Sequence, residues 1–138
     1  MRILGLTLAA LLAGGLVPAA AQAAPSAHAV HLGEKQNQKE VFVHVGDRIR
    51  LALHNTYWTI GSAKGSAVRA GAPQRTEAQP PGGGCVPGAG CGTVIRHFRA
   101  VAFGDARIVA TRTTCGEALR CTGDAGSYVV HIHVVGER

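Results

Sequence analysis

Hydrophobic residues that recur at every second position constrain the fold of this chain more than any other feature of its sequence. In the run from Arg48 to His54, three large aliphatic residues alternate with arginine, alanine and histidine. This period is typical of a β-strand with one buried face, because successive side chains of a strand point to opposite sides. The same alternation recurs over Val41–Val45, Ala106–Ala110 and Ser127–Val135.

The spacing of these runs predicts an all-β domain. About seven short strands, separated by turns rich in glycine, proline and aspartate, fit between Val41 and Val135, and no amphipathic helix pattern interrupts them. Strands at such intervals predict a sandwich or barrel. Trp58, on a third predicted strand, takes the place of the core tryptophan of an immunoglobulin-like sandwich, although other β-domains also bury an aromatic residue there. Thr93–Phe103 is predicted as a strand with Phe98, Ala100 and Ala102 facing inward.

The first 23 residues have the three parts of a secretory signal peptide. Arg2 supplies a positive charge, Ile3–Val17 forms an apolar run, and Ala21-Gln22-Ala23 fits the small-x-small cleavage rule. The run is shorter than the roughly 20 residues that a membrane-spanning helix needs. Residues 1–23 are therefore predicted to be removed on export. They are followed by a flexible lead-in over residues 24–40 and one domain over residues 41–138, which acts in the periplasm or outside the cell.

Four cysteines remain in the predicted mature chain: Cys85, Cys91, Cys115 and Cys121. An even number of cysteines in an exported protein predicts disulfides. Three pairings are possible, and the equal short spacing favours the local pairs Cys85–Cys91 and Cys115–Cys121. The alternative is a four-cysteine zinc site, but paired zinc ligands are usually separated by only two to four residues. The sequence therefore predicts two disulfides, no cofactor and no metal ion.

The amount and distribution of charge in the sequence do not indicate a nucleic-acid-binding protein. The formal net charge is +6, and it falls to +5 without Arg2. The basic residues are scattered along the sequence, and no run of five like charges occurs. A mildly basic surface favours acidic partners.

Motifs of catalysis are missing from the sequence, and an enzyme is not predicted. It has neither a Gly-x-Ser-x-Gly nucleophile elbow nor a His-Glu-x-x-His zinc motif. His131 and His133 are the best candidate metal ligands, because residues two apart on a strand share a face, and His28, His31 and His44 lie upstream. We predict instead that His131 and His133 face solvent. A metal-binding protein remains the third functional alternative.

Three irregular segments would gather at one end of a sandwich: His54–Trp58, Gly82–Gly92 and Arg112–Gly126. The second and third each contain one cysteine pair. A loop that is stiff before binding loses less conformational entropy on association, and rigid scaffolds commonly carry recognition loops. This pattern indicates a binding surface, although short disulfides also serve stability alone.

Five short motifs occur in the order found in one known family. They are Val45-Gly46-Asp47-Arg48-Ile49-Arg50-Leu51, Gly88-Ala89-Gly90 followed by a strand with Phe98, Gly104-Asp105-Ala106-Arg107-Ile108, Arg112, and Ser127–Val135. Together they resemble the chagasin-type cysteine peptidase inhibitors. In the order given, they correspond to that family's opening turn and strand, its Gly-Ala-Gly-Gly loop, the turn into its sixth strand, the start of its Arg-Pro-Trp loop and its last strand. That family has an immunoglobulin-like sandwich.

The resemblance implies a function and a set of contact residues. In the family, three loops at one end enter the active-site cleft of papain-like peptidases, reversibly and without chemistry. The implied contacts here are Asn55, Thr56, Gly88, Ala89 and Gly90, flanked by the rim charge of Arg112. A Gly90→Trp change is then expected to block the cleft without unfolding the domain. The family's Asn-Pro-Thr-Thr-Gly segment is missing, and Thr113-Thr114 replaces Pro-Trp.

The predicted protein is thus a secreted, monomeric inhibitor of papain-like cysteine peptidases with an immunoglobulin-like β-sandwich. The alternative is a secreted immunoglobulin-like module that binds another extracellular or envelope protein. Neither needs a cofactor, a nucleic acid or a membrane anchor after signal cleavage.

Overall fold

The computed structural model describes residues 26–80, 82–116 and 118–136. The predicted signal peptide, residues 1–23, lies outside the described residues. A search of the described residues for a helix long and apolar enough to cross a membrane finds none.

Eleven strands and two short 3-10 helices form the regular structure of the described residues. In chain order the strands are β1 (Ala29–Leu32), β2 (Lys39–His44), β3 (Arg48–His54), β4 (Thr59–Ile60), β5 (Val68–Ala70), β6 (Arg75–Ala78), β7 (Gly92–Ala100), β8 (Gly104–Thr111), β9 (Thr114–Gly116), β10 (Leu119–Arg120) and β11 (Ser127–Val135). The 3-10 helices span Glu34–Gln36 and Gly123–Gly126.

The strands form two large sheets and one small hairpin. The first sheet has the order β1-β3-β7-β5, with β6 pairing along the other half of β7. The second sheet has the order β2-β11-β8-β4, and β9 and β10 form the hairpin. The pairs β1–β3 and β2–β11 are parallel, whereas the other pairs are antiparallel.

This arrangement is that of an immunoglobulin-like sandwich. In such a domain the first, second, fourth and fifth strands form one sheet, and the third, sixth and seventh form the other. Here β1, β3, β5 and β7 take the first set, while β4, β8 and β11 take the second. Strand β2 carries the first strand over to the second sheet, through the 3-10 helix after β1. The predicted all-β sandwich is confirmed.

The core lies between the two sheets and follows the alternation seen in the sequence. Ile49, Leu51 and Leu53 of β3 are buried, and so are Ile108 on β8 and Ile132 on β11, all within one cluster. The residues between them point outward. Burying each such side chain contributes about 1.5–3 kcal/mol. Trp58, just before β4, is only 5% exposed and belongs to the same cluster, as the sequence predicts.

Three segments differ from the sequence-based interpretation. The expected flexible lead-in contains β1 and the start of β2, because parallel pairing with β3 and β11 supplies backbone hydrogen bonds that local sequence does not reveal. The predicted loop over residues 71–92 contains β6, which pairs with β7. The strand ends at Ala100, so Ala102 is exposed in the following turn instead of buried.

Among the described residues, Asp47 is the only charged side chain that is buried. Its carboxylate accepts a hydrogen bond from the backbone N–H of His44 at 2.9 Å and one from the N–H of His28 at 3.2 Å. Its own N–H donates to the carbonyl of His44 at 3.0 Å. Gly46, with φ +94°, allows the tight turn that these bonds close. Asp47 therefore joins the turn between β2 and β3 to the chain that leads into β1.

Candidate functional site

Strand register brings three connections to one end of the sandwich. His54 at the end of β3 pairs with Thr93 near the start of β7, and Thr111 at the end of β8 pairs with both Ser127 and Thr59. The described residues of the segments 55–58, 79–91 and 112–126 therefore meet at this end; we call these segments the first, second and third loops, and the region they form the loop end. All six contact residues implied by the family resemblance lie here.

Asn55 fixes the shape of the first loop and joins it to the second. Its φ is +91°, a conformation that asparagine tolerates better than other residues with a side chain. The side-chain Nδ2 donates to the carbonyl of Ala89 at 3.1 Å, and Oδ1 accepts from the N–H of Tyr57 at 2.9 Å. The Asn55 N–H donates to the carbonyl of Gly92 at 2.8 Å. The side chain of Asn55 thus forms hydrogen bonds both within the first loop and to the second loop.

Two further hydrogen bonds extend this contact. The N–H of Thr56 donates to the carbonyl of Gly90 at 2.7 Å. The hydroxyl of Tyr57 donates to the carbonyl of Gly88 at 2.7 Å. The implied contact residues of the first and second loops therefore form one continuous hydrogen-bonded unit, which we call the joined tip (residues 55–57 and 88–90).

Gly90 has a structural role that differs from the one the family resemblance implies. Its φ is +69°, and a Cβ atom there would lie 2.7 Å from both Asn55 Oδ1 and the ring of Tyr57. The missing side chain lets the two loops touch each other, so Gly90→Trp would separate them and is not a clean test of cleft binding. The sequence pattern places Tyr57 in the irregular segment His54–Trp58 but does not assign it a role in joining the two loops.

We expect Asn55→Gly to lower the free energy of unfolding by about 1–3 kcal/mol, because it removes two side-chain hydrogen bonds but keeps the positive φ. Asn55→Ala should cost about 1 kcal/mol more, since alanine is strained at that φ. Urea denaturation of the disulfide-bonded protein measures both values. Equal losses for the two variants would contradict the role of the backbone conformation.

Each of the two longer loops is closed by its own disulfide. Cys85 is joined to Cys91, with Cα atoms 6.0 Å apart, and Cys115 is joined to Cys121, with Cα atoms 5.0 Å apart. These are the local pairs that the spacing favours. In the chain-entropy model, each loop closure contributes about 2 kcal/mol. The first disulfide encloses Gly88–Gly90, and the second joins Cys115 of β9 to Cys121, the residue after β10.

The side chain of Arg112, the first residue of the third loop, contacts both Trp58 of the first loop and the far end of the third loop. Its guanidinium lies 4.5 Å from the centroid of the Trp58 ring, and its Nε donates to the carbonyl of Ala125 at 2.7 Å. A cation over an aromatic face contributes about 0.5–1 kcal/mol at partly exposed sites. This half-buried side chain holds the third loop against Trp58, and its role as a rim charge of a peptidase contact stays a prediction.

A cleft of about 180 Å³ opens beside Arg112 and reaches Tyr128 and Glu34. Burial, with a smaller effect from the charge of Glu34, raises the pKa of Tyr128 well above its ordinary value. Partial burial opposes ionisation of Glu34, but hydrogen bonds from the backbone and ring of His54 outweigh it and lower the pKa of the Glu34 carboxyl. The Glu34–His54 contact thus stabilises the folded state fully at pH values above the ordinary pKa of glutamate. This stabilisation is lost as the pH falls through the lowered pKa of Glu34.

The two histidines of β11 lie on the second sheet, away from the loop end. His131 is exposed, as predicted. His133 is instead half-buried, with Nδ1 2.7 Å from Asp105 Oδ1 and its ring stacked on Phe42 at 5.0 Å. In residues 26–80, 82–116 and 118–136, no group of three or more His, Cys, Asp or Glu residues is arranged to hold a metal ion.

The fold and the loop end define an immunoglobulin-like β-sandwich whose connections at one end are joined and cross-linked. Comparison with solved structures places two proteins close to this fold. One is the cysteine protease inhibitor EhICP2 from Entamoeba histolytica, with a TM-score of 0.60 and 14% identity over 81% of this chain and 100% of that one. The other is Amebosin, with a TM-score of 0.54 and 15% identity over 80% and 100% of the two chains.

At 14–15% sequence identity, the structural similarity to these two proteins establishes the fold alone. No protein-family model matches the chain, and no curated protein does either.

Proposed function

We propose that this protein is a secreted, reversible inhibitor of papain-like cysteine peptidases, which acts as a monomer through its loop end and performs no chemistry. The observation that carries the proposal is the joined tip, presented at one end of a sandwich that is similar to the inhibitor EhICP2. The two disulfides agree with an oxidising compartment.

The composition of the joined tip suits insertion into a narrow cleft. Gly88 and Gly90 have no side chains and Ala89 has only a methyl group, so the backbone of this segment can approach another protein closely. Gly88 is exposed, while Ala89 and Gly90 are half-buried against the first loop. Asn55 and Tyr57 of the first loop thus support the exposed backbone of the second loop through their hydrogen bonds to Ala89 and Gly88.

Two exposed aliphatic side chains lie in the second and third loops of the loop end, and sequence reasoning did not identify them. Val86 in the second loop is 67% exposed, and Leu119 in the third loop is 62% exposed. Each lies inside a ring closed by a disulfide. Exposed apolar residues on rigid supports are common anchors of protein interfaces, so we assign them to the peptidase contact.

The decisive experiment measures inhibition of papain and of several bacterial papain-like peptidases by the purified, disulfide-bonded protein. We expect reversible inhibition, and we expect Ala89→Trp to weaken it by more than about tenfold, or 1.4 kcal/mol, because a large side chain would hold the joined tip out of the cleft. Ala89 already carries a Cβ, so this change adds bulk without forcing a new backbone conformation.

Ala102→Trp is the matched control. Ala102 is an exposed alanine, and it lies in the turn between β7 and β8, at the end of the sandwich opposite the loop end. Its tryptophan variant should inhibit as the unchanged protein does. Lack of inhibition by micromolar unchanged protein with intact disulfides would reject the proposal, and equal weakening by both variants would reject the assigned surface.

A second candidate is a binding module for another extracellular or envelope protein. It is favoured by Thr113-Thr114, which replaces the family's Pro-Trp, and by the short first loop. The same loop end would then serve a partner that lacks a peptidase cleft. The absence of inhibition in the assay above would favour this candidate.

A further inference from the structure

The outer face of the first sheet carries a regular array of basic side chains at the end of the sandwich away from the loop end. Arg48 on β3 is directly opposite Arg99 on β7, and Arg99 is directly opposite Arg69 on β5. In the next row, Arg50 is opposite His97. We call these five residues the basic face. Their neighbours along each strand, such as Ile49, Phe98 and Val68, are buried, so the basic side chains point outward.

Three arginines side by side on neighbouring strands lower the stability of the folded state. Adjacent strands lie about 4.8 Å apart, and like charges directly opposite each other in a sheet are destabilising. None of the four arginines forms an ion pair within the described part of the chain; the arginine ion pair found there is Arg75–Glu77. No ion pair among the described residues relieves this repulsion, and an external anion would relieve it.

A concave surface accompanies the charge. An open cleft of about 380 Å³ is lined by Arg48, Arg69, Arg99 and His97, with Gly71, Val101 and the nearly buried Phe98 between them. The guanidinium group is planar and binds carboxylate or sulfate through paired hydrogen bonds, which lysine cannot do. All the positive charge of the first row is arginine.

From this geometry we infer that the basic face binds a linear anionic polysaccharide, whose carboxylate or sulfate groups contact the row of arginines across β3, β7 and β5. Successive arginines are separated by about one strand spacing, 4.8 Å, which is close to the length of one sugar unit in an extended chain. The two disulfides agree with an oxidising compartment outside the cytoplasm.

The basic face lacks the aromatic and large apolar side chains with which proteins bind single-stranded nucleic acid or anionic membranes. Proteins that bind single-stranded nucleic acid stack bases on aromatic side chains, and no Phe, Tyr or Trp occupies an outward position of β3, β5 or β7. Proteins that lie on membranes add large apolar side chains to their basic residues. The exposed large hydrophobic residues of the described chain, including Phe42, Val86 and Leu119, lie outside these strands.

The test measures binding of the disulfide-bonded protein to polygalacturonate and to heparin by isothermal titration, with neutral dextran, duplex DNA and phosphatidylglycerol vesicles as comparison ligands. We expect binding to the two anionic polysaccharides that weakens with added salt, and none to dextran. The triple variant Arg48→Gln, Arg69→Gln, Arg99→Gln should lose affinity by at least about tenfold.

The matched control is Lys64→Gln, Arg107→Gln, Arg120→Gln, which removes the same charge from exposed positions outside the basic face. It should change the affinity by less than about threefold. The face variant should also melt at the same or a higher temperature than the unchanged protein, because like-charge repulsion is relieved. Equal losses in both variants, or tighter binding to DNA or vesicles than to polysaccharide, would overturn the inference. This test does not depend on peptidase inhibition.

Discussion

Replacing Trp58 with alanine is expected to lower the free energy of unfolding by about 3–5 kcal/mol, the usual range for loss of a buried tryptophan side chain. Trp58 is 5% exposed within the core, and its ring supports the guanidinium of Arg112 at 4.5 Å. The change would therefore leave a cavity and release the third loop. Urea denaturation followed by circular dichroism should show a lower midpoint with an unchanged slope.

Two variants separate the causes of that loss. Trp58→Phe keeps an aromatic ring in the core and should cost clearly less than alanine. Arg112→Gln keeps Trp58 but removes the cation, and should cost about 0.5–1 kcal/mol. A loss below about 1 kcal/mol for Trp58→Ala would show that the tryptophan does not pack in the core.

Asp47→Ala is expected to cost about 3 kcal/mol or more. The carboxylate accepts two backbone hydrogen bonds, from His44 and His28, and hydrogen bonds to charged groups contribute about 1.5–3 kcal/mol each. Without the carboxylate, the turn between β2 and β3 loses its connection to the segment before β1. The fall in stability can be measured by urea denaturation, and hydrogen exchange should accelerate at the amides of His28 and His44.

Asp105→Ala is the control for this prediction. Asp105 also contacts a histidine, with Oδ1 2.7 Å from His133 Nδ1, but its side chain is 79% exposed. Exposed ion pairs contribute at most about 1 kcal/mol, so this variant should be nearly as stable as the unchanged protein. Similar losses for the two aspartates would show that burial of Asp47 is not the source of its contribution.

The two proposed contact surfaces lie at opposite ends of the same sheet. The joined tip adjoins the end of β3 and the start of β7, whereas Arg48 begins β3 and Arg99 is close to the end of β7. A peptidase at the loop end and a polysaccharide on the basic face would therefore contact different residues. Variants of one surface should leave binding at the other unchanged.

The sequence by itself determined the features that depend on local geometry. The alternation in Arg48–His54 and Ser127–Val135 set which residues are buried, because side-chain direction along a strand is a property of the strand alone. The two disulfides also followed from sequence, since short equal spacing favours pairs within one loop. About seven strands predicted a sandwich or barrel, and the family resemblance then favoured the immunoglobulin-like sandwich.

Only the tertiary structure decided the features that depend on pairing between distant segments. Strand β1 and most of the joined tip are stabilised by hydrogen bonds to residues far along the chain, such as that from Asn55 to Ala89 and those that pair β1 with β3. The row of Arg48, Arg99 and Arg69 is likewise invisible in a sequence whose basic residues look scattered. Register aligns these three arginines, and the register between strands far apart in the chain, such as β3 and β7, is fixed only when their buried faces pack together.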